Sequence, residues 1–142
     1  MSRTLRSATL SAVCLIAGCT QPPADAATNG AVYRAWQTQA SALEVTANGT
    51  VAYMLGPSEA HPGFILQLSG PAAHGLSLEI EENFYRTGPI PLQPGDQVEV
   101  RGEYFYNEVG GYIRYTYLGT SNSKYASPHE GGYVRAHGKS YM

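Results

Sequence analysis

Apolar and polar side chains alternate most cleanly between Leu43 and Leu55. Leu43, Val45, Ala47, Gly49, Val51, Tyr53 and Leu55 interleave with Glu44, Thr46, Asn48, Thr50, Ala52 and Met54. A period of two sustained over that length predicts a long, half-buried strand. Gly49 in its middle predicts a bulge or sharp coil that lets one strand serve two sheets. Ahead of it, Val32, Trp36, Ala40 and Leu43 recur at nearly helical spacing. They predict a short amphipathic helix over 31–43, with Asn29 as N-cap and Trp36 as its core anchor.

Downstream, 64–68 and 76–80 read as the second and third strands, joined by a Gly70-Pro71 turn. The pattern breaks over 81–94, where Pro89, Pro91 and Pro94 exclude a long helix. Pro94-Gly95-Asp96 turns the chain into a fourth strand, with Val98, Val100, Gly102, Tyr104 and Tyr106 on one face. A glycine-rich turn over 107–111 leads to a fifth strand over 112–118, which puts Tyr115 and Tyr117 on one face with Ile113. After Gly119 no usable period remains.

These elements predict a mainly β protein: a small five-stranded OB-like Greek-key barrel with one short N-terminal helix and an irregular C-terminal tail. The helix that customarily joins strands three and four is reduced to the proline-broken segment 81–94. An SH3-like barrel or a compact sandwich is the second choice. With 142 residues the chain has room for one domain. Its 11 tyrosines, 16 glycines and 9 prolines favour strands and tight turns over a helix bundle.

Residues 1–18 have the layout of a bacterial secretion signal, with Arg3 and Arg6 ahead of an apolar stretch over 8–17. That stretch is too short to span a ~30 Å hydrocarbon core. It ends in Ile16-Ala17-Gly18-Cys19, which resembles the lipobox of bacterial lipoproteins. The resemblance implies that Cys19 becomes the lipidated first residue of the mature chain, with Cys14 discarded. Two or three acyl chains suffice for stable attachment. Thr20, where an aspartate would retain a lipoprotein at the inner membrane, implies the outer membrane facing the periplasm. The alternative is a secreted protein cut after Ala26, since Ala24-Asp25-Ala26 also fits a small-x-small site. Neither product holds a disulfide. Residues 19–30 then form a tether, and 31–142 form the single domain.

Nine basic and eleven acidic side chains give a formal charge of −2. Losing Arg3 and Arg6 with the signal leaves seven against eleven, a net of −4. Such a chain repels phosphates, so no nucleic acid is expected as a partner.

From His61 onward the chain resembles a small bacterial family, domain of unknown function 3465. The resemblance rests on His61 and Phe64-Ile65-Leu66 before and in the second strand. It then runs through Gly95-Asp96, Val98, Gly102-Glu103-Tyr104, Asn107, Gly110-Gly111 and Ile113, and ends on His129, Gly132, Tyr133, Gly138 and Tyr141. After the Ile of the fifth strand the family runs His-Trp-Thr-His-His-Asp-Pro, a cluster suited to metal binding or acid–base work. Here that stretch reads Arg114-Tyr115-Thr116-Tyr117-Leu118-Gly119-Thr120, and only the threonine is kept. The family's His-Asn-Ile-Asp after strand three is Glu82-Asn83-Phe84-Tyr85, which keeps only the asparagine. The family brings no established activity with it.

No catalytic constellation stands out. His61, His74, His129 and His137 form no short-spaced pair of the kind that marks a metal site. No serine lies in a Gly-x-Ser-x-Gly elbow. Glu79, Glu81 and Glu82 contain the makings of an acid–base pair, but alternation puts Glu79 and Glu81 on a solvated face. Arg114, opposite Tyr115, reads as a plain surface charge. The tyrosines concentrated after residue 103 suit cross-strand packing or an aromatic platform for a flat ring.

The sequence therefore predicts a lipid-anchored envelope protein with a non-catalytic OB-like binding module. Its partners are the membrane, through Cys19, and a glycan or envelope protein, contacted by Tyr115, Tyr117, His129 and Tyr133. No cofactor or metal is expected. The alternative is a divergent metal-assisted hydrolase with a polar site of His61, Glu82, Asn83, Glu103 and His129.

Overall fold

A computed structural model describes residues 24–56, 62–119 and 131–142. The secretion signal, Cys19, His61 and His129 lie outside the described residues. Strand β1 runs Leu43–Leu55, β2 Gly63–Leu68, β3 Ser77–Glu81, β4 Gln97–Phe105 and β5 Tyr112–Arg114. They pair in the order β1-β2-β3-β5-β4, and β4 returns to β1, so the sheet closes into a five-stranded barrel. Among the described strands, only β3 and β5 run parallel. This is the strand order of the OB-fold, and the closed ring leaves no open edge among its members.

The long strand serves two neighbours, as its length requires. Leu43–Thr50 pair with β4 and Gly49–Leu55 with β2. Gly49 sits at the crossing, where a Cβ would lie 2.2 Å from the Gln67 carbonyl oxygen. It marks the point where one strand serves two neighbours, as expected, and does so by close approach rather than as the bulge itself. The register instead shifts between Val51 and Tyr53. One inserted residue flips every side chain beyond it, so Tyr53 points outward and is 55% exposed although Val51 is buried.

Strand β5 is shorter than the alternation predicts. It stops at Arg114 because Tyr115 adopts φ 57°, a left-handed conformation uncommon for a bulky residue. The same side of β4 is then taken up by another strand. Residues Glu103–Phe105 pair with β5, whereas Val98–Arg101 pair with β6, which runs Tyr133–Ala136. Strand β7, Lys139–Tyr141, folds back on β6 as a hairpin. The C-terminal tail expected to be irregular thus contributes two strands, and Val134 and Ala136 reach the core.

Helix α1 spans Ala24–Gln37 and so takes in residues 24–30 of the expected tether. Asn29 is not a cap but a fully buried clasp. Its side-chain NH₂ donates to the Asn48 and Ser69 carbonyls, both at 2.8 Å, and its oxygen accepts from the Asn48 N–H at 2.9 Å. Val32 and Ala35 enter the core, while Trp36 is only partly buried and donates its indole N–H to the Asn107 carbonyl. Between β3 and β4 the helix is reduced to one turn, α2 at Phe84–Thr87, which buries no side chain. Helix α1 packs on β1 and on the 3-10 turn Pro71–Ala73 that precedes β3. It therefore covers the end of the barrel where β2 finishes and β3 begins, and leaves the opposite end to other residues.

Candidate functional site

At that opposite end lies a cleft of about 450 Å³ lined by Pro62, Glu81, Glu82, Asn83, Phe84, Tyr85, Arg114, Tyr115 and Tyr117. The barrel topology assembles it. Parallel pairing sets Ile80 opposite Ile113, so the next residues along, Glu81 and Arg114, emerge side by side. Arg114 donates from Nε to Glu81 Oε2 at 2.6 Å, and its guanidinium lies over the Tyr112 ring at 5.4 Å. Thr116, almost fully buried, donates its hydroxyl to the Glu81 carbonyl at 3.0 Å. That bond pins the turn carrying Tyr115 and Tyr117 against the end of β3.

The aromatic wall follows from the turn. With Tyr115 left-handed, its ring and that of Tyr117 meet edge to face, 6.3 Å apart at 79°. Arg86 of α2 stands over the Tyr117 ring at 5.6 Å. Tyr85 on the same helical turn is fully exposed and Phe84 is partly so. The Asn83 carbonyl accepts from the Arg86 and Thr87 N–H groups and so holds this turn beside the cleft.

Glu82 is the unusual member. Its backbone N–H donates to the Pro62 carbonyl at 2.8 Å, which ties the residue to the start of β2. Its side chain is turned inward, so the residue is only 7% exposed, and Oε1 has no hydrogen-bond partner among the described residues. Burial pushes its carboxyl up from 4.5 to about 7. A carboxyl in that state is shared between the protonated and ionised forms near neutrality.

Of the residues singled out from the sequence, Tyr115, Tyr117, Glu82 and Asn83 come together in this cleft. Tyr133 does not line it. It sits on β6, donates its hydroxyl to Glu99 at 2.7 Å and lies under the Arg135 guanidinium. Glu103 does not line it either; it is paired in register with Glu44 on one side and Arg114 on the other. His61 and His129 lie outside the described residues. Among the described residues, no group of three His, Cys, Asp or Glu is placed to hold a metal ion.

Two expectations need correction: the placement of Tyr115 and Tyr117 on the fifth strand, and Arg114 as a plain surface charge. Tyr115 and Tyr117 do not continue β5 beside Ile113, which is buried in the barrel. Arg114 is a member of the site, ion-paired to Glu81, and shares the cleft with Tyr115 rather than opposing it. The signal that would have found this pair was present in the expected fold. In an OB-type order strands three and five are parallel neighbours, so charges of opposite sign at their two ends are brought together.

Fold and cleft together define a small closed β-barrel of OB-type order, with an open, aromatic-lined site at the end its helix leaves uncovered. The chain belongs to the family described as "Protein of unknown function (DUF3465)", whose model matches residues 13–142. No curated protein and no solved structure matches the chain significantly.

Proposed function

We propose that this protein is a lipid-anchored module of the bacterial cell envelope whose cleft binds a glycan. The observation that carries the reading is the convergence of Tyr85, Tyr115 and Tyr117 with Arg114, Glu81 and Glu82 around one open cleft of about 450 Å³. Flat aromatic faces pack against the C–H faces of a sugar ring, while charged and carbonyl groups at the margin meet its hydroxyls. A net acidic chain disfavours phosphate-rich ligands. Placement in the envelope rests on the lipobox-like Ile16-Ala17-Gly18-Cys19, with Cys19 as the point of acylation. An outer-membrane position facing the periplasm follows from Thr20 beside it.

Calorimetric titration with chitotetraose, cellotetraose and maltotetraose tests the reading. Binding of at least one is expected, and Tyr117→Ala weakens it roughly five- to tenfold, the equivalent of about 1 kcal/mol of ring stacking. Its melting temperature should stay near that of the wild type, because Tyr117 lies outside the barrel core. No binding of any of the three, or a Tyr117→Ala variant that binds undiminished, refutes the assignment.

A further inference from the structure

We propose that the cleft is also catalytic, with Glu82 as the acid that cleaves a glycosidic bond in the bound glycan. The inference rests on the glycan reading of the site and goes beyond it by assigning a reaction.

Glu82 is a carboxyl 7% exposed, in the wall of a cleft, with one oxygen that no described residue satisfies. A buried oxygen without a partner destabilises the protein that carries it. The charged and titratable groups that line the same cleft are Glu81 from β3, Arg114 from β5, Tyr85 beside Arg86 from α2, and Tyr115 and Tyr117 from the turn after β5. Of the two carboxyls, Glu81 is ion-paired with Arg114 at 2.6 Å, whereas Glu82 has no such cation among the described residues. Adjacent carboxyls in unlike surroundings are how one site holds both an acid and a fixed negative charge. Burial raising the Glu82 carboxyl to about 7 supports the same division, since an acid near the working pH both gives and regains its proton readily.

The step balances with water as the only co-reactant. Glu82 passes its carboxyl proton to the glycosidic oxygen as the C1–O bond breaks, and the bonding electron pair leaves with that oxygen. Positive charge develops at C1, in a cleft that already holds the Glu81 carboxylate. Water adds to C1, and its proton returns to the Glu82 carboxylate. One acetal and one water become a hemiacetal and an alcohol, and Glu82 ends protonated as it began.

The test incubates the wild-type protein and Glu82→Gln with chitotetraose, cellotetraose and maltotetraose and reads shorter oligomers by mass spectrometry, beside the calorimetric titration. Cleavage of a bound oligosaccharide is expected, with a rate that falls as pH rises through about 7 and drops by about 100-fold or more in Glu82→Gln. Binding without cleavage overturns the catalytic assignment and leaves the binding reading standing. Neither binding nor cleavage overturns both. Cleavage that survives in Glu82→Gln removes Glu82 from the role. Glutamine keeps the size of the side chain without its charge, so loss of the fold does not confound the comparison.

Discussion

At the scale of single residues, Glu82 departs furthest from what stability alone would select. A carboxyl whose folded value lies above its ordinary 4.5 binds a proton more tightly in the native state than in the unfolded chain. Stability is therefore fullest below about 4.5, falls as pH rises from there to about 7, and stays lowered above that. Glu82→Gln removes this penalty. It should stabilise the protein at about pH 8 by roughly 1–3 kcal/mol and change it little at about pH 4, as read by thermal or urea unfolding at the two pH values. An equal effect at both would show that the gain has nothing to do with the buried charge. The residue's place was half legible in the sequence. Glu82 was visible as a polar position beside the third strand, but alternation assigns faces and not burial. Glu82 stands in phase with Leu78 and Ile80, both fully buried, so the chain running on from β3 carries it to the inward face, where its backbone N–H is tied to Pro62.

At the scale of elements, the alternation located the strands well because each strand of the barrel has one dry face. It failed where the backbone leaves the pleat. The fifth strand was read through to Leu118, yet the left-handed Tyr115 ends it at Arg114, and no propensity marks a tyrosine for that conformation. The reason lies elsewhere in the chain. Gly132 enters where a Cβ would stand 2.0 Å from the Tyr115 carbonyl oxygen and 2.7 Å from that of Arg101, so β6 takes over the edge that β5 releases. The short β6–β7 hairpin escaped notice because its burial pattern is set by β4 rather than by a long period of its own.

Helix α1 was placed too late for a related reason. Asn29 has the chemistry of a cap, but here it satisfies the backbone where β1 and β2 part. Asn29→Ala leaves several buried backbone groups without that partner and should cost about 2 kcal/mol, or roughly 10 °C in melting temperature for a domain of this size. Thermal denaturation checks this. A loss no larger than that of an exposed helix substitution would mean that the clasp is not what docks α1.

At the scale of the molecule, the two ends of the barrel have different work. One is covered by α1, held through Asn29 and by Tyr33 stacked on His74 at 4.2 Å. The other is open and carries the cleft. The barrel was readable in outline from a bulged long strand, a Gly-Asp-led fourth strand and a proline-broken connection. The cleft was readable in part, through Tyr115, Tyr117, Glu82 and Asn83. That Arg114 and Glu81 are neighbours was readable only through the expected strand order, because the contact spans two strands remote in sequence. The stretch that follows β5 carries Tyr115 and Tyr117 next to Arg114. The same turn of the fold thus presents aromatic faces and a guanidinium beside a buried acid.

The proposed function places glycan binding at this end of the barrel and nowhere else on it. The most direct measurement is two-dimensional NMR of protein labelled at its tyrosine rings, titrated with the same three tetrasaccharides. Saturable shifts and sugar-to-ring Overhauser contacts are expected at Tyr85, Tyr115 and Tyr117, with Tyr133 and Tyr141 unmoved. Shifts centred on Tyr133 or on the outward-facing Tyr53, or none with any of the three sugars, would contradict it.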